Sequence, residues 1–279
     1  MIQSATEGDR ASPLTRRVAA LLVPFLIAAG AILWIWPDRT AEMFAWTIQP
    51  RMTPLLMGAG YLAGAYFFLR VSTSNRWPAV ALGFLPVTAF AWVAAAATLM
   101  HWDRFNHSHI TFLVWAVLYA LTPFVVPALW LANRTDGSRD SRSGNPSLPA
   151  GVAIGLAAAG LAVVMVGAGL ILAPERLMPL WPWALTPLTA RMVGAFFIVA
   201  GLSDLGIAVV RRWSANRVLL EAQLVGLIFI LLGIPRALDS FDPNNPLTAA
   251  FISGLSLLFL SLIAIYIFMA RRAVPYVKD

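Results

Sequence analysis

Eight apolar blocks make up most of this chain, and they constrain it more than any motif does. They run over Val18–Trp36, Thr53–Val71, Trp77–Met100, Ile110–Ala132, Ala150–Ala173, Leu188–Val210, Arg217–Ile234 and Leu247–Ala270. Each holds roughly 18 to 24 residues, enough at about 1.5 Å per residue to cross a hydrocarbon layer of about 30 Å. Lipid is therefore the natural solvent. The predicted fold class is an all-α membrane protein with eight transmembrane helices. Composition agrees: 59% of the 279 residues are apolar and 12% are charged, where soluble domains carry about 25% charged residues. Pro24, Pro86, Pro123 and Pro127 fall inside blocks, where membrane helices tolerate proline as a kink.

The remaining segments predict the domain organisation. Residues 1–17 are polar and mixed in charge and read as a tail. The first apolar run continues past small residues at Ala28–Ala31 to Trp36. That exceeds a signal-peptide core of roughly 7–15 residues, so a retained helix is expected. Residues 18–132 then form a first four-helix unit, 133–149 a linker rich in Gly, Ser, Asp and Arg, 150–270 a second four-helix unit, and 271–279 a second tail.

The two units echo each other. The stretch Pro37 to Gly64 lines up with Pro174 to Gly201 at an offset of 137 residues, pairing Trp46 with Trp183 and Pro50 with Pro187. Asp103 and Asn106 pair with Asp242 and Asn245 at an offset of 139. Four helices per unit insert both copies the same way, so the expectation is two tandem repeats related by a parallel pseudo-two-fold along the membrane normal.

Basic residues set the orientation. With both termini cytoplasmic, the inner segments carry 14 Arg or Lys and the outer loops carry 6: Arg39, Arg51, Arg104, Arg176, Arg191 and Arg236. This predicts a multi-pass protein of the cell (inner) membrane with both ends and the linker cytoplasmic. Lys278 is the only lysine, which points to a GC-rich bacterial genome. The net charge of +7 does not imply nucleic acid, because the arginines sit in short loops and form no continuous basic face. The absence of cysteine excludes disulfides, Cys-ligated zinc and iron–sulfur clusters. The two outer stretches rich in Trp, Pro and Met, Pro37 to Met52 and Pro174 to Pro187, are expected to lie in the membrane interface.

Asp204 is the sharpest polar feature within a block. It precedes Arg211 by seven residues, about 10 Å inside the helix end at 1.5 Å per residue. Gln223 lies at similar depth on the next helix, and the short connection makes the two helices antiparallel neighbours. Glu221 points away from Gln223 and shares a face with Arg217. An intramembrane carboxylate is a functional hypothesis by default: a proton- or cation-handling site, or a polar anchor for a substrate. The plainer reading is a hydrogen-bonded helix pair with Glu221 salt-bridged to Arg217. Arg51 and Arg191, near the outer ends, are candidates for an anionic headgroup or substrate, against simple interfacial snorkelling. All three histidines, His101, His107 and His109, share one outer loop with Asp103. They are weak zinc or copper candidates, since the spacing matches no established motif and a solvated loop is the plainer account. Gly60 with Gly64, Gly151 with Gly155, Gly160 with Gly167 and Gly194 with Gly201 fit close helix packing.

Absent residues narrow the chemistry. No block carries a histidine, so haem ligation is not expected despite a layout like the duplicated eight-helix haem A synthases. The Ser/His pair that an intramembrane serine protease needs lacks its second partner, and no dinucleotide or phosphate fingerprint is present. Asp204-Leu-Gly206-Ile-Ala208 resembles the start of the CDP-alcohol phosphotransferase pattern, whose further aspartates are missing. The run Trp181-Pro-Trp183-Ala-Leu-Thr-Pro-Leu-Thr-Ala-Arg191-Met-Val-Gly194-Ala195 resembles a signature of polytopic integral membrane proteins of bacteria to which no activity is assigned. The expectation is a small-molecule or lipid transporter of permease type. The alternatives are a non-catalytic subunit or assembly factor of a larger membrane complex and, last, a membrane-embedded lipid-modifying enzyme. No catalytic residue and no cofactor is expected. The expected partners are the lipid bilayer and, beyond it, other membrane subunits or a second copy.

Overall fold

A computed structural model describes residues 10–133 and 145–273. Its long helices are α1 (Pro13–Ile35), α2 (Met52–Thr73), α3 (Phe84–Met100), α4 (Ile110–Ala132), α5 (Ala150–Leu172), α6 (Pro187–Val210), α7 (Trp213–Gly233) and α8 (Pro246–Arg272). All eight, α3 together with the 3-10 turn before it, are long and apolar enough to cross a membrane. Among the described residues there is no strand, only isolated bridges between Ser147 and Arg212 and between Trp183 and Phe241. The chain is an all-α multi-pass membrane protein.

Several boundaries differ from the sequence expectation. α1 begins at Pro13, not Val18, because Ser12 caps it: the Ser12 hydroxyl accepts the Thr15 N–H, and Pro13 has no N–H to satisfy. Residues 1–9 of the expected tail lie outside the described residues. Arg16, inside this helix, donates to the Ser72 carbonyl and to Asn75. α7 begins at Trp213, four residues before Arg217. Trp77–Ala79 and Ala81–Gly83 form 3-10 turns, so α3 is shorter than expected. Most of the expected linker, 134–144, and the inner-side residues Arg134, Arg139, Arg142 and Lys278 lie outside the described residues. The end of that linker is docked. The Leu148 N–H donates to the Arg211 carbonyl, the Arg211 guanidinium donates to the Leu148 carbonyl, and Leu148 is buried. Arg211 takes a left-handed conformation (φ 54°) that stops α6 and reverses the chain into α7.

The helices pair in a regular way. α1 lies along α2 and α5 along α6; α3 carries α4 and α7 carries α8; α2 crosses to α7 and α6 crosses to α3. α2 is the most enclosed helix and α8 the least. Leu99, Leu172, Val209 and Leu257 are among the large apolar side chains turned outward, where lipid replaces the core as their apolar partner. Close approach of α5 and α6 rests on Gly160 against Gly201 and Gly167 against Gly194. A Cβ at Gly201 would meet the Gly160 carbonyl oxygen at 2.5 Å. α1 and α2 cross in the same manner at Gly30 and Gly58. By contrast, Gly151 and Gly155 face open space, and Gly60 accommodates the Phe196 ring.

The Trp-rich outer stretches turn their central tryptophans into the protein. Trp46 and Trp183 are buried, and each sits in a four-ring cluster. Trp46 packs on Phe44, Phe105 and Trp115 at centroid distances of 5.1, 5.0 and 4.8 Å. Trp183 packs on Trp181, Phe241 and Phe251 at 5.3, 5.4 and 5.1 Å. Beside each cluster a backbone bond closes the hairpin: Asn106 N–H to the Ala45 carbonyl, and Asp242 N–H to the Pro182 carbonyl. These bonds set Asn106 opposite Asp242, 136 residues on, in place of the offset of 139 suggested by the Asp103–Asp242 pairing.

Candidate functional site

Helices α2, α3, α6, α7 and α8 surround a cavity of about 240 Å³. Its walls come from helices on both sides of residues 134–144 in the sequence. They are almost wholly apolar and rich in rings, including Phe67, Phe90, Phe196 and Phe251. The polar side chains lining it are Tyr61, Ser203, Asp204 and Gln223. Two of these are spoken for within the protein: Tyr61 shares a hydrogen bond of 3.0 Å with Tyr119, and Ser203 donates to the Val199 carbonyl at 2.7 Å. The other two are not. Gln223 donates from Nε2 to Asp204 Oδ1 at 2.9 Å and to the Ala200 carbonyl at 3.3 Å. Two acceptors on one side fix the orientation of the amide. The outcome is that Asp204 Oδ2 and Gln223 Oε1, both buried, have no hydrogen-bond partner among the described residues. Asp204 itself is fully buried.

The geometry follows from local sequence. α6 starts with Thr186, whose hydroxyl accepts the Thr189 N–H while Thr189 answers with its own hydroxyl, and Pro187 follows the cap. The glycine crossings hold α6 tight to α5, with Gly160 within van der Waals reach of Asp204. The sharp reversal at Arg211 then returns α7 beside α6, bringing Gln223 level with Asp204.

Glu221 occupies a separate site nearer the arginine-rich end. Its carboxylate accepts from Tyr66 at 2.7 Å, from Arg217 at 2.8 Å, from Tyr266 at 2.9 Å, and from Arg70. Arg70 also donates to the Tyr66 hydroxyl at 2.7 Å. The pairing with Arg217 was readable from the i,i+4 spacing. Tyr66, Arg70 and Tyr266 were missed, and the only hint was a tyrosine and an arginine four apart on one apolar helix. Four donors fill the acceptor positions of one carboxylate, so this network fastens α2, α7 and α8 together.

The remaining candidates separate. Arg51 is bound by Asp38 at 3.0 Å, lies 3.9 Å from Asp239, and donates to the Arg236 carbonyl at 3.1 Å. The hydrogen bond to Asp38 raises its pKa. Arg191 instead contacts His101 Nε2 at 2.9 Å and the Pro187 carbonyl at 3.2 Å. The two arginines thus belong to different networks and form no joint anion site. The histidines do not converge. His101 faces Arg191, His107 stacks between Trp102 and Phe112, and His109 caps α4 through Thr111. Asp103 is exposed beside Arg104. Among the described residues no three His, Cys, Asp or Glu side chains are placed to hold a metal ion.

No protein family, curated protein or solved structure matches this chain. The site is therefore read from its own chemistry. It offers a half-open cavity lined mainly by apolar and aromatic side chains, with two buried, unpartnered acceptors on residues of its lining. Among the described residues that line it, the Ser203 hydroxyl is bound to the Val199 carbonyl, and there is no second acid and no histidine.

Proposed function

We propose that this protein binds an apolar small molecule or lipid in the chamber between its two units and moves it, as a transporter of permease type. The observation that carries the reading is the position of Asp204 and Gln223 on the wall of a cavity built from both units. Binding sites of many transporters lie near mid-membrane at the interface of repeated units. The tandem duplication belongs to the same proposal. It is supported by the matched helix pairings, by the two four-ring clusters and by the 137-residue echo. The arginine distribution supports cytoplasmic ends and a bacterial inner membrane.

The test is flux. In proteoliposomes loaded with a panel of amphiphiles, the wild-type chain is expected to move at least one member of the panel. Asp204→Asn is expected to assemble normally and move it at a small fraction of the rate. An unaffected rate in Asp204→Asn, or no flux for any member, would count against the reading.

A second reading, a non-catalytic subunit, has one specific observation in its favour. Gly151 and Gly155 on α5 face outward with nothing against them, as a partner helix would require. Stoichiometric co-purification of another membrane protein, lost in Gly155→Leu, would favour it.

A further inference from the structure

The unsatisfied atoms of the chamber specify its ligand more narrowly than its size does. Asp204 Oδ2 and Gln223 Oε1 are both buried and without a hydrogen-bond partner among the described residues, and both side chains belong to the cavity lining. With the Asp204 carboxylate ionised, a group that satisfies the pair must bring hydrogen-bond donors and needs no acceptor. A buried polar atom without a partner is expensive, and a buried carboxylate without a countercharge is more so. No Arg, Lys or His among the described residues lines the chamber. The arginines nearest in sequence to Gln223 and Asp204 are committed elsewhere, Arg217 to Glu221 and Arg211 to Leu148. Among the described residues, therefore, no countercharge lines the chamber. The rest of the wall carries rings, and ring faces attract cations in dry surroundings.

We propose that the chamber takes a lipophilic cation: a protonated amine on an apolar body, its N–H groups donating to Asp204 and Gln223 and its hydrocarbon among the rings. The head is fixed by the acceptor pair and the missing countercharge. The body is fixed by walls with almost no other polar group. This inference rests on the reading of the chamber as a ligand site and names what that site selects.

The experiment compares two probes of equal chain length, dodecylammonium and 1-dodecanol, both radiolabelled. They are bound to the full chain in phosphatidylcholine nanodiscs, with protein-free discs subtracted. Dodecylammonium is expected to bind saturably, one per chain, and at least about tenfold more tightly than dodecanol. In Asp204→Asn, which keeps the acceptor for Gln223 and the side-chain shape, that preference is expected to vanish while dodecanol binding changes little. The comparison between probes needs only the wild-type chain, so a poorly folding variant does not rescue the idea. Saturable dodecanol binding as tight as that of dodecylammonium would overturn the cation assignment and leave the chamber a ligand site. No saturable binding of either probe would overturn the chamber itself.

Discussion

Two carboxylates lie inside the helical bundle, about one helical turn apart in depth, and they are treated in opposite ways. Glu221 accepts from two arginines and two tyrosines drawn from three helices. Asp204 accepts from one amide, and its second oxygen is buried with no partner among the described residues, on a side chain that lines a cavity. In a medium of low dielectric, an acid that is fully answered behaves as a fastener. An acid left half answered, with space beside it, has capacity to spare for something that comes and goes. Both are carboxylates on neighbouring helices, and the number of donors within reach separates the fastener from the candidate site.

Three measurements press on that contrast. Glu221→Ala should have the largest effect on stability. It strands two arginines and two tyrosines, and because Arg70 and Arg217 are partly exposed, the cost should fall between the buried and surface extremes, at about 2 kcal/mol. Unfolding of the reconstituted protein by SDS titration reads this directly; a shift as small as that of Asp204→Asn would erase the distinction. Tyr266→Phe removes one donor of four, and a loss of about 1 kcal/mol is expected in the same titration. Loss of nothing would mean that Arg217 alone fills Oε1.

The smallest effect concerns pH, and it lies outside both acids. Burial, and then the positive charge of Arg191, lowers the pKa of His101 from its ordinary 6.5. The unfolded chain then takes up a proton at higher pH than the folded one. Stability is complete above about 6.5 and declines as the pH falls through that value, levelling beneath the folded-state pKa. His101→Gln should flatten this slope when stability is followed between pH 7 and 5. An unchanged slope would assign the pH dependence to other groups.

Much of the architecture was legible because lipid leaves few options. Eight apolar blocks of spanning length are read as eight helices, and the short connection between α6 and α7 sets Gln223 at the depth of Asp204 on an antiparallel neighbour. What escaped reading was tertiary. Trp46 and Trp183 look like interfacial residues by composition, yet they pack inward because Phe105 and Phe241, far away in sequence, come down on them. The donors to Glu221 come from α2 and α8, a relation that no spacing rule within one helix reveals. The histidines share one loop but separate once Arg191, Phe112 and Thr111 each claim one. The chamber depends on which faces of five helices turn toward one another. Pattern within a block cannot report that when the blocks are apolar all round.

The chamber is also a joint property. Asp204 and Gln223 stand on helices that follow residue 145, while Phe67 and Phe90 stand on helices that precede residue 133. The two stretches interleave, with α2 against α7 and α3 against α6, so neither encloses the space by itself. A change in either of those crossings would be felt at the carboxylate.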